Sequence, residues 1–206
     1  MSETLEVLLA TGNRHKLREI REMLEGTRYR VVSLADIPDA PEIIEDGDTF
    51  RANADKKART LARHCDRVTV ADDSGIEVDA LNGAPGVHSA RFAGGSGDDA
   101  DDANNQLLIE KLRDVPYAER TARFRCALAI VHPDGRALYS DGTVEGHIAS
   151  EEIGEGGFGY DPLFLLAGDP QGRTTAQLSP AEKNAVSHRG QALNALLPLL
   201  DELSGS

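Results

Sequence analysis

Val70-Ala71-Asp72-Asp73-Ser74-Gly75 joins a short apolar run, Val68-Thr69-Val70-Ala71, to two adjacent carboxylates, a hydroxyl and a glycine. The β-branched run predicts a buried strand that delivers acids to its carboxyl end, where open α/β sheets place their sites. Neighbouring acids repel each other and are costly to desolvate unless a cation or hydrogen-bond donors face them. The stretch therefore reads either as a metal site or general base, or as a polar turn that closes a strand.

The segments before it support an α/β reading. Val7-Leu8-Leu9-Ala10 predicts a strand, Thr11-Gly12-Asn13 a tight polar turn, and Arg14 to Leu24 a helix with Leu17, Ile20, Met23 and Leu24 at helical spacing. Gly26 is a helix stop. A glycine-containing turn before a helix offers backbone donors to a phosphate, and Lys16 adds a positive charge one turn in. The Walker spacing is absent, and an ordinary βα turn reads the same way. Tyr29–Leu34 predicts a second strand, and residues 35–48 a loop rich in proline and acids. Thr49 to His64 predicts a helix capped by Asp48 or Thr49, with Ala52, Ala54, Ala58, Leu61 and Ala62 as packing positions. Lys56 and Lys57 read most simply as solvent-facing, with one of them able to reach an anion.

Beyond the acids, Leu81-Asn82-Gly83-Ala84-Pro85-Gly86 is rich in turn residues and Ala93–Gly97 reads as a flexible segment. Asp98, Asp99, Asp101 and Asp102 open a helix at about 98–113, with Leu107, Leu108 and Leu112 inward. Acids in a first helical turn suit the helix dipole, which is preferred here over a metal site. Thr121 to His132 predicts a long strand with Phe124, Cys126, Leu128 and Ile130 alternating, turned back through Pro133-Asp134-Gly135 into Arg136–Val144. An antiparallel pair in a chain that begins βαβ implies a mixed sheet. Gly156-Gly157-Phe158-Gly159-Tyr160-Asp161-Pro162 precedes the apolar run Leu163–Leu166. Glycines let backbone approach a ligand, and Phe158 or Tyr160 offers a face to stack on a base. Ser179-Pro180-Ala181-Glu182 is a capping box that starts a short helix carrying Lys183, and Ser187-His188-Arg189 opens the last helix.

The chain has 206 residues and 40% hydrophobic content, enough for one domain or one domain with two lobes. A net charge of −13 disfavours binding to a nucleic-acid polymer, yet leaves room for a nucleotide offset by local cations and a metal. Cys65 and Cys126 form no disulfide framework and no zinc spacing. No apolar run spans a membrane, and Met1-Ser2-Glu3-Thr4 lacks a signal-peptide pattern, so the expected location is cytoplasmic.

Five segments fall into one ordered pattern: Ala10-Thr11-Gly12-Asn13-x-x-Lys16, Thr49-Phe50-x-x-Asn53-Ala54-x-x-Lys57-Ala58, Ala71-Asp72-Asp73-Ser74-Gly75, Gly156–Pro162 and Ser187-His188-Arg189-Gly190. Together they resemble the inosine triphosphate pyrophosphatase family, in particular its bacterial dITP/XTP pyrophosphatase branch, from Val7 to about Leu200. Gly83–Gly86 and Ser89-Ala90-Arg91 resemble that branch too. The resemblance implies a mixed elongated central sheet flanked by helices, with two lobes around a nucleotide-binding cleft, and one pyrophosphatase domain over residues 1–206. It implies magnesium (Mg2+)-dependent hydrolysis of ITP, dITP and XTP to the monophosphate and pyrophosphate, by a homodimer.

It also implies roles. Asp73 is the expected general base and metal ligand, with Asp72 supporting it or sharing the metal, and Glu45 or Asp46 as a further ligand. Thr11, Gly12, Asn13, Arg14, His15 and Lys16 are expected around the phosphates, with Lys57 as a further cation and Ser74 beside them. Phe158 is expected to stack on the base, with Gly159, Tyr160 and Asp161 lining the pocket and Lys183, His188 and Arg189 binding nucleotide. Donors facing a six-position keto oxygen would meet the donors of an adenine amino group, so ATP and dATP are expected to be poor substrates. The rival expectations are a pyrophosphatase for another modified base and a non-catalytic nucleotide-binding module. A phosphotransferase is disfavoured because it would need a motif that is missing here.

Overall fold

A computed structural model describes residues 4–95 and 100–204. Six strands hydrogen-bond in the order β2-β1-β3-β4-β5-β6: β1 Leu5–Leu9, β2 Tyr29–Ser33, β3 Thr69–Val78, β4 Thr121–Val131, β5 Ala137–Ile148 and β6 Phe164–Leu166. β1 runs parallel to β2 and β3, and β5 antiparallel to β6, so the sheet is mixed. The helices are α1 Arg14–Leu24, α2 Phe50–Cys65, α3 Asp101–Leu112, α4 Pro180–Val186 and α5 His188–Ser204. The chain forms two compact units, one of Met1–Asp73, Cys126–Gly142 and Gly190–Ser206, the other of Ser74–Arg125 and Thr143–Arg189.

In the first unit the period of two along each strand sorts residues between two cores. Val7, Leu9, Val70, Cys126, Leu128 and Ile130 pack on Ile20 and Leu24 of α1 and on Leu193, Leu196 and Leu200 of α5. Leu8, Ala71, Ala129 and Val131 pack on Ala54, Ala58 and Leu61 of α2. Small residues on α2 let that helix lie close to the sheet. β4 therefore alternates only as far as Cys126; beyond it both faces are covered and every residue is buried. Burying one such leucine stabilises by about 1.5–3 kcal/mol. In the second unit Ile76, Val78, Phe124, Ile148 and Phe164 pack with Leu108 and Leu112 of α3. Leu107 is only half-buried.

The strand through the acids is longer than expected. β3 does not turn at Asp72-Asp73 but continues through them to Val78. Ala52 is exposed, because Asn53 and Ala54 face the sheet instead. α3 is described from Asp101 onward. Asp98 and Asp99, expected to open it, and Ser96 and Gly97 of the expected flexible segment lie outside the described residues.

Candidate functional site

In the first unit, β3 carries Asp72 and Asp73 past the end of β1, and the pleat turns them to opposite faces of the sheet. Asp72 lies on the α1 face with Val70. It is fully buried, and Lys16 Nζ sits 2.9 Å from its Oδ2. Asp73 lies on the α2 face with Ala71 and is 6% exposed. Asn53 Nδ2 donates to Asp73 Oδ2 at 2.9 Å, and Lys57 Nζ is 3.7 Å from Oδ1. Lys57 is not solvent-facing: it is buried, donating to Glu45 Oε1 at 2.9 Å and to the Asp72 carbonyl at 2.5 Å. Glu45, Asp72 and Asp73 hold it there, which fits the alternative in which one of the two lysines reaches an anion and not the simpler solvent-facing reading. Lys56 is the solvent-facing lysine and pairs with Asp46 at 2.6 Å.

Burial pushes the Asp73 carboxyl up from its ordinary range, against the pull of Lys57 and Lys16 and the Asn53 hydrogen bond. For Lys57, burial pulls the ammonium down, but Asp72, Asp73 and Glu45 together outweigh it and raise it overall. The rise keeps Lys57 charged.

The turn before α1 is largely engaged with itself. Asn13 caps the helix, its Oδ1 accepting from the amides of His15 at 2.9 Å and Lys16 at 3.0 Å. The Asn13 amide donates to Thr11 Oγ1 at 3.2 Å. This makes Lys16 Nζ, rather than those three amides, the donor placed to meet an anion. Gly12 and Arg14 are exposed, and Arg18 Nη2 lies 3.3 Å from His15 Nδ1.

In the second unit the glycine-rich loop presents Phe158, half-buried, beneath two cations. Lys183 Nζ lies 4.7 Å and the Arg189 guanidinium 5.7 Å from its ring centroid. Both cations are buried, as is His188, which stacks on Phe124 at 4.8 Å. Arg189 Nη2 donates to Ser74 Oγ at 2.9 Å. Asp161 holds this group together: its Oδ2 accepts from the Phe158 amide at 2.9 Å and from Lys183 at 2.5 Å, and its Oδ1 accepts from Thr175 Oγ1 at 2.8 Å. Gly157 is required there, since a Cβ would fall 2.1 Å from Asp161 Oδ2. Tyr160 is a core residue whose hydroxyl donates to the Ser89 carbonyl at 2.8 Å, and burial raises that hydroxyl's pKa.

Asn53 and Thr175 are functional candidates that sequence reasoning did not single out. Asn53 stood inside a matched motif without a role. Thr175 has no local signal, because its partner lies 14 residues away.

For a metal, the α2 face offers Asp73 and Glu45, which share the Lys57 ammonium. Asp72 faces α1 and Asp46 faces Lys56, so neither lies with that pair. Among the described residues no three acids, histidines or cysteines form a closed cage. Two carboxylates without a cage fit magnesium, which keeps waters and takes its remaining ligands from substrate phosphates.

The first unit thus holds buried acids paired with cations, the chemistry of a phosphate or metal site, and the second holds an aromatic face under two cations, the chemistry that receives a planar ring. The chain belongs to the Ham1 family, whose model matches residues 7–199. This bears out the family resemblance carried by the five motifs. It is 49% identical over 199 residues to a dITP/XTP pyrophosphatase of Desulforamulus reducens, covering 97% of each chain. It is also 49% identical over 201 residues to one of Exiguobacterium sibiricum, covering 98% of this chain and all of that one. Among solved structures, a HAM1 protein from Coxiella burnetii superposes with a TM-score of 0.85 at 40% identity, covering 96% of this chain and 99% of that one.

Proposed function

We propose that this chain hydrolyses purine nucleoside triphosphates bearing a six-position keto group (dITP, ITP and XTP) to the monophosphate and pyrophosphate, with residues 1–206 acting as one catalytic domain. The observation that carries the reading is Asp73, a desolvated carboxylate fixed by Asn53 and flanked by Lys57. Its burial shifts it in the direction a general base needs. Asp73 takes a proton from water as the water oxygen bonds to the α-phosphorus; the α–β anhydride bond breaks and pyrophosphate leaves with the bond electrons. Lys16 and Lys57 offset the phosphate charge. Glu45 and Asp73 are the residues that would hold magnesium, which when bound supplies further charge neutralisation at the phosphates.

Phe158 stacks on the base beneath Lys183 and Arg189, and His188 and Arg189 supply donors for the keto oxygen. An amino group would leave those buried donors unpaired, which is how a site rejects an analogue by orders of magnitude. Identity of 46–49% with relatives named dITP/XTP pyrophosphatase supports the substrate class. No helix among the described residues is long and apolar enough to cross a membrane. The homodimer is the assembly expected of the family, and light scattering during size exclusion tests it.

The deciding assay measures pyrophosphate release with and without magnesium from dITP, XTP, ATP, dGTP and dUTP. Strong release from dITP and XTP, lost in Asp73→Asn, is expected. Equal turnover of ATP and dITP would overturn the specificity. Retained nucleotide binding without release from any triphosphate would overturn catalysis and leave a binding module.

A further inference from the structure

Both backbone polar groups of Gly159 are held by side chains of α3. The Gly159 amide donates to Asp101 Oδ2 at 2.6 Å, and its carbonyl accepts from Asn105 Nδ2 at 3.1 Å. Asp101 and Asn105 are four positions apart, one turn along the same helical face. Gly159 has φ +60°, and a Cβ there would have no heavy atom within 4 Å. The peptide planes on either side of Gly159 are therefore set by hydrogen bonds: the two from α3, and a third in which the Phe158 carbonyl accepts from the Asp161 amide at 3.3 Å. Its neighbours are Phe158, which lies under the two cations, and Tyr160, anchored in the core.

α3 is itself rigidly seated. Leu108 and Leu112 are fully buried, and Asn104 Oδ1 accepts from the Ala93 amide at 2.8 Å. Asn105 is 2% exposed, and its Oδ1 has no hydrogen-bond partner among the described residues. A buried acceptor left unpaired destabilises, and a leucine would fill that core position without the cost. The amide at 105 is thus explained by Gly159 and by no packing need. Asp101 likewise does more than complement a helix dipole, because its carboxylate reaches a loop 58 residues away.

We propose that Asp101 and Asn105 are positioning residues that set the shape of the Phe158–Asp161 loop and thereby the discrimination between keto and amino purines. The proposal rests on the base-recognition reading of that loop. Losing a hydrogen bond to a charged acceptor corresponds to roughly tenfold or more in an equilibrium.

The experiment compares Asp101→Ala, Asp101→Asn, Asn105→Ala and Asn105→Asp with the wild-type chain. It reads kcat and KM for dITP and dATP, equilibrium binding of dIMP and dAMP, and the melting temperature. In Asp101→Ala and Asn105→Ala, KM for dITP and Kd for dIMP are expected to rise about tenfold with kcat within about threefold, and the preference for dITP over dATP to fall about tenfold. Asp101→Asn keeps an acceptor for the Gly159 amide and should restore most of the preference. Asn105→Asp has no N–H for the Gly159 carbonyl and should not. Unchanged KM and preference in a folded Asp101→Ala would overturn the proposal, as would an Asp101→Asn as damaged as the alanine variant. So would loss of activity toward all nucleotides in step with lowered melting temperature. If Asp101→Ala does not fold, Asn105→Ala and the two isosteric variants decide by the same readouts. A wild-type chain that releases no pyrophosphate from dITP refutes the proposed function instead, and dIMP binding still tests the loop.

Discussion

Replacing Asn53 by alanine removes two hydrogen bonds at one fully buried position. One is the donation to Asp73 Oδ2 at 2.9 Å; the other is the acceptance, at 2.8 Å, of the Gly47 amide. The side chain thereby ties the loop that carries Glu45 to the strand that carries Asp73. Gly47 approaches so closely that a Cβ there would lie 2.7 Å from Asn53 Oδ1. A hydrogen bond to a charged acceptor contributes about 1.5–3 kcal/mol and a neutral one about 0.5–1.5 kcal/mol. Alanine's better helix propensity offsets at most about 0.7 kcal/mol. The net expectation is a loss of about 1–4 kcal/mol, read as a fall of about 3–12 °C in melting temperature for a chain of this size.

The effect on turnover is separable from the effect on stability. A reacting group displaced by about 1 Å costs on the order of 100-fold, so kcat for dITP should fall about 10- to 100-fold. KM should stay within about threefold, because Lys16, Phe158 and the cations above it are untouched. Urea unfolding of Asn53→Ala, Asp73→Ala and the double variant should give a coupling of at least about 1 kcal/mol. A kcat within threefold of wild type at the full loss of stability would show that Asn53 supports the fold and not Asp73. Strict additivity in the cycle would refute the hydrogen bond as the source of the energy.

Three further outcomes follow from other contacts. Lys57→Met leaves Glu45 and Asp73 without their shared buried cation, so unfolding in urea should show a loss of about 3–5 kcal/mol, part of which added magnesium restores. Glu182, bonded to Ser179 and then to Arg173, is held down to about 2 from an ordinary 4.5. The native state thus binds fewer protons, so its contribution is complete above about pH 4.5 and is lost as pH falls toward 2; Glu182→Gln should flatten melting temperature against pH in that window. Gly75→Ala places a Cβ 2.7 Å from the Gly86 carbonyl and 2.3 Å from Ser89 Oγ, and should lower stability by about 1–3 kcal/mol in thermal melts.

What the sequence made legible was local. The periodicity of Leu17, Ile20 and Leu24 and the cap at Asn13 placed α1, Thr49 capped α2, the Pro133-Asp134-Gly135 turn placed the β4–β5 hairpin, and Ser179 with Glu182 placed the start of α4. What stayed hidden depends on contacts distant in sequence. Asp72-Asp73 looked like the end of a strand because two acids inside one have no local justification; Lys16 and Lys57, from two different helices, supply it. Lys57 looked solvent-facing because burial of a lysine is decided by Glu45, Asp72 and Asp73 and not by its own helix. The aspartates that open α3 looked like dipole partners because Gly159 is 58 residues away.

The division of Asp72 and Asp73 between the two faces of the sheet answers the electrostatic problem their adjacency poses. Two ionised carboxylates in one buried pocket would push each other toward protonation. A strand separates them by its pleat, provided each face supplies a cation. Here α1 supplies Lys16 to Asp72 and α2 supplies Lys57 to Asp73, so each buried carboxylate has a cation on its own face. A buried cation stripped of its acid is strongly destabilising, and so is the reverse. In the proposed reaction, a triphosphate engaging Lys16 exchanges one anion for another, and Glu45 and Asp73 are the acids that would hold magnesium, which would supply further positive charge at the phosphates. Asp73, the acid on the face with Asn53 and Glu45, is then the one of the pair able to act on water, while Asp72 holds Lys16 in place. Asp72→Asn should accordingly raise KM more than it lowers kcat, the opposite of Asp73→Asn, and equal effects of the two on kcat would refute this division.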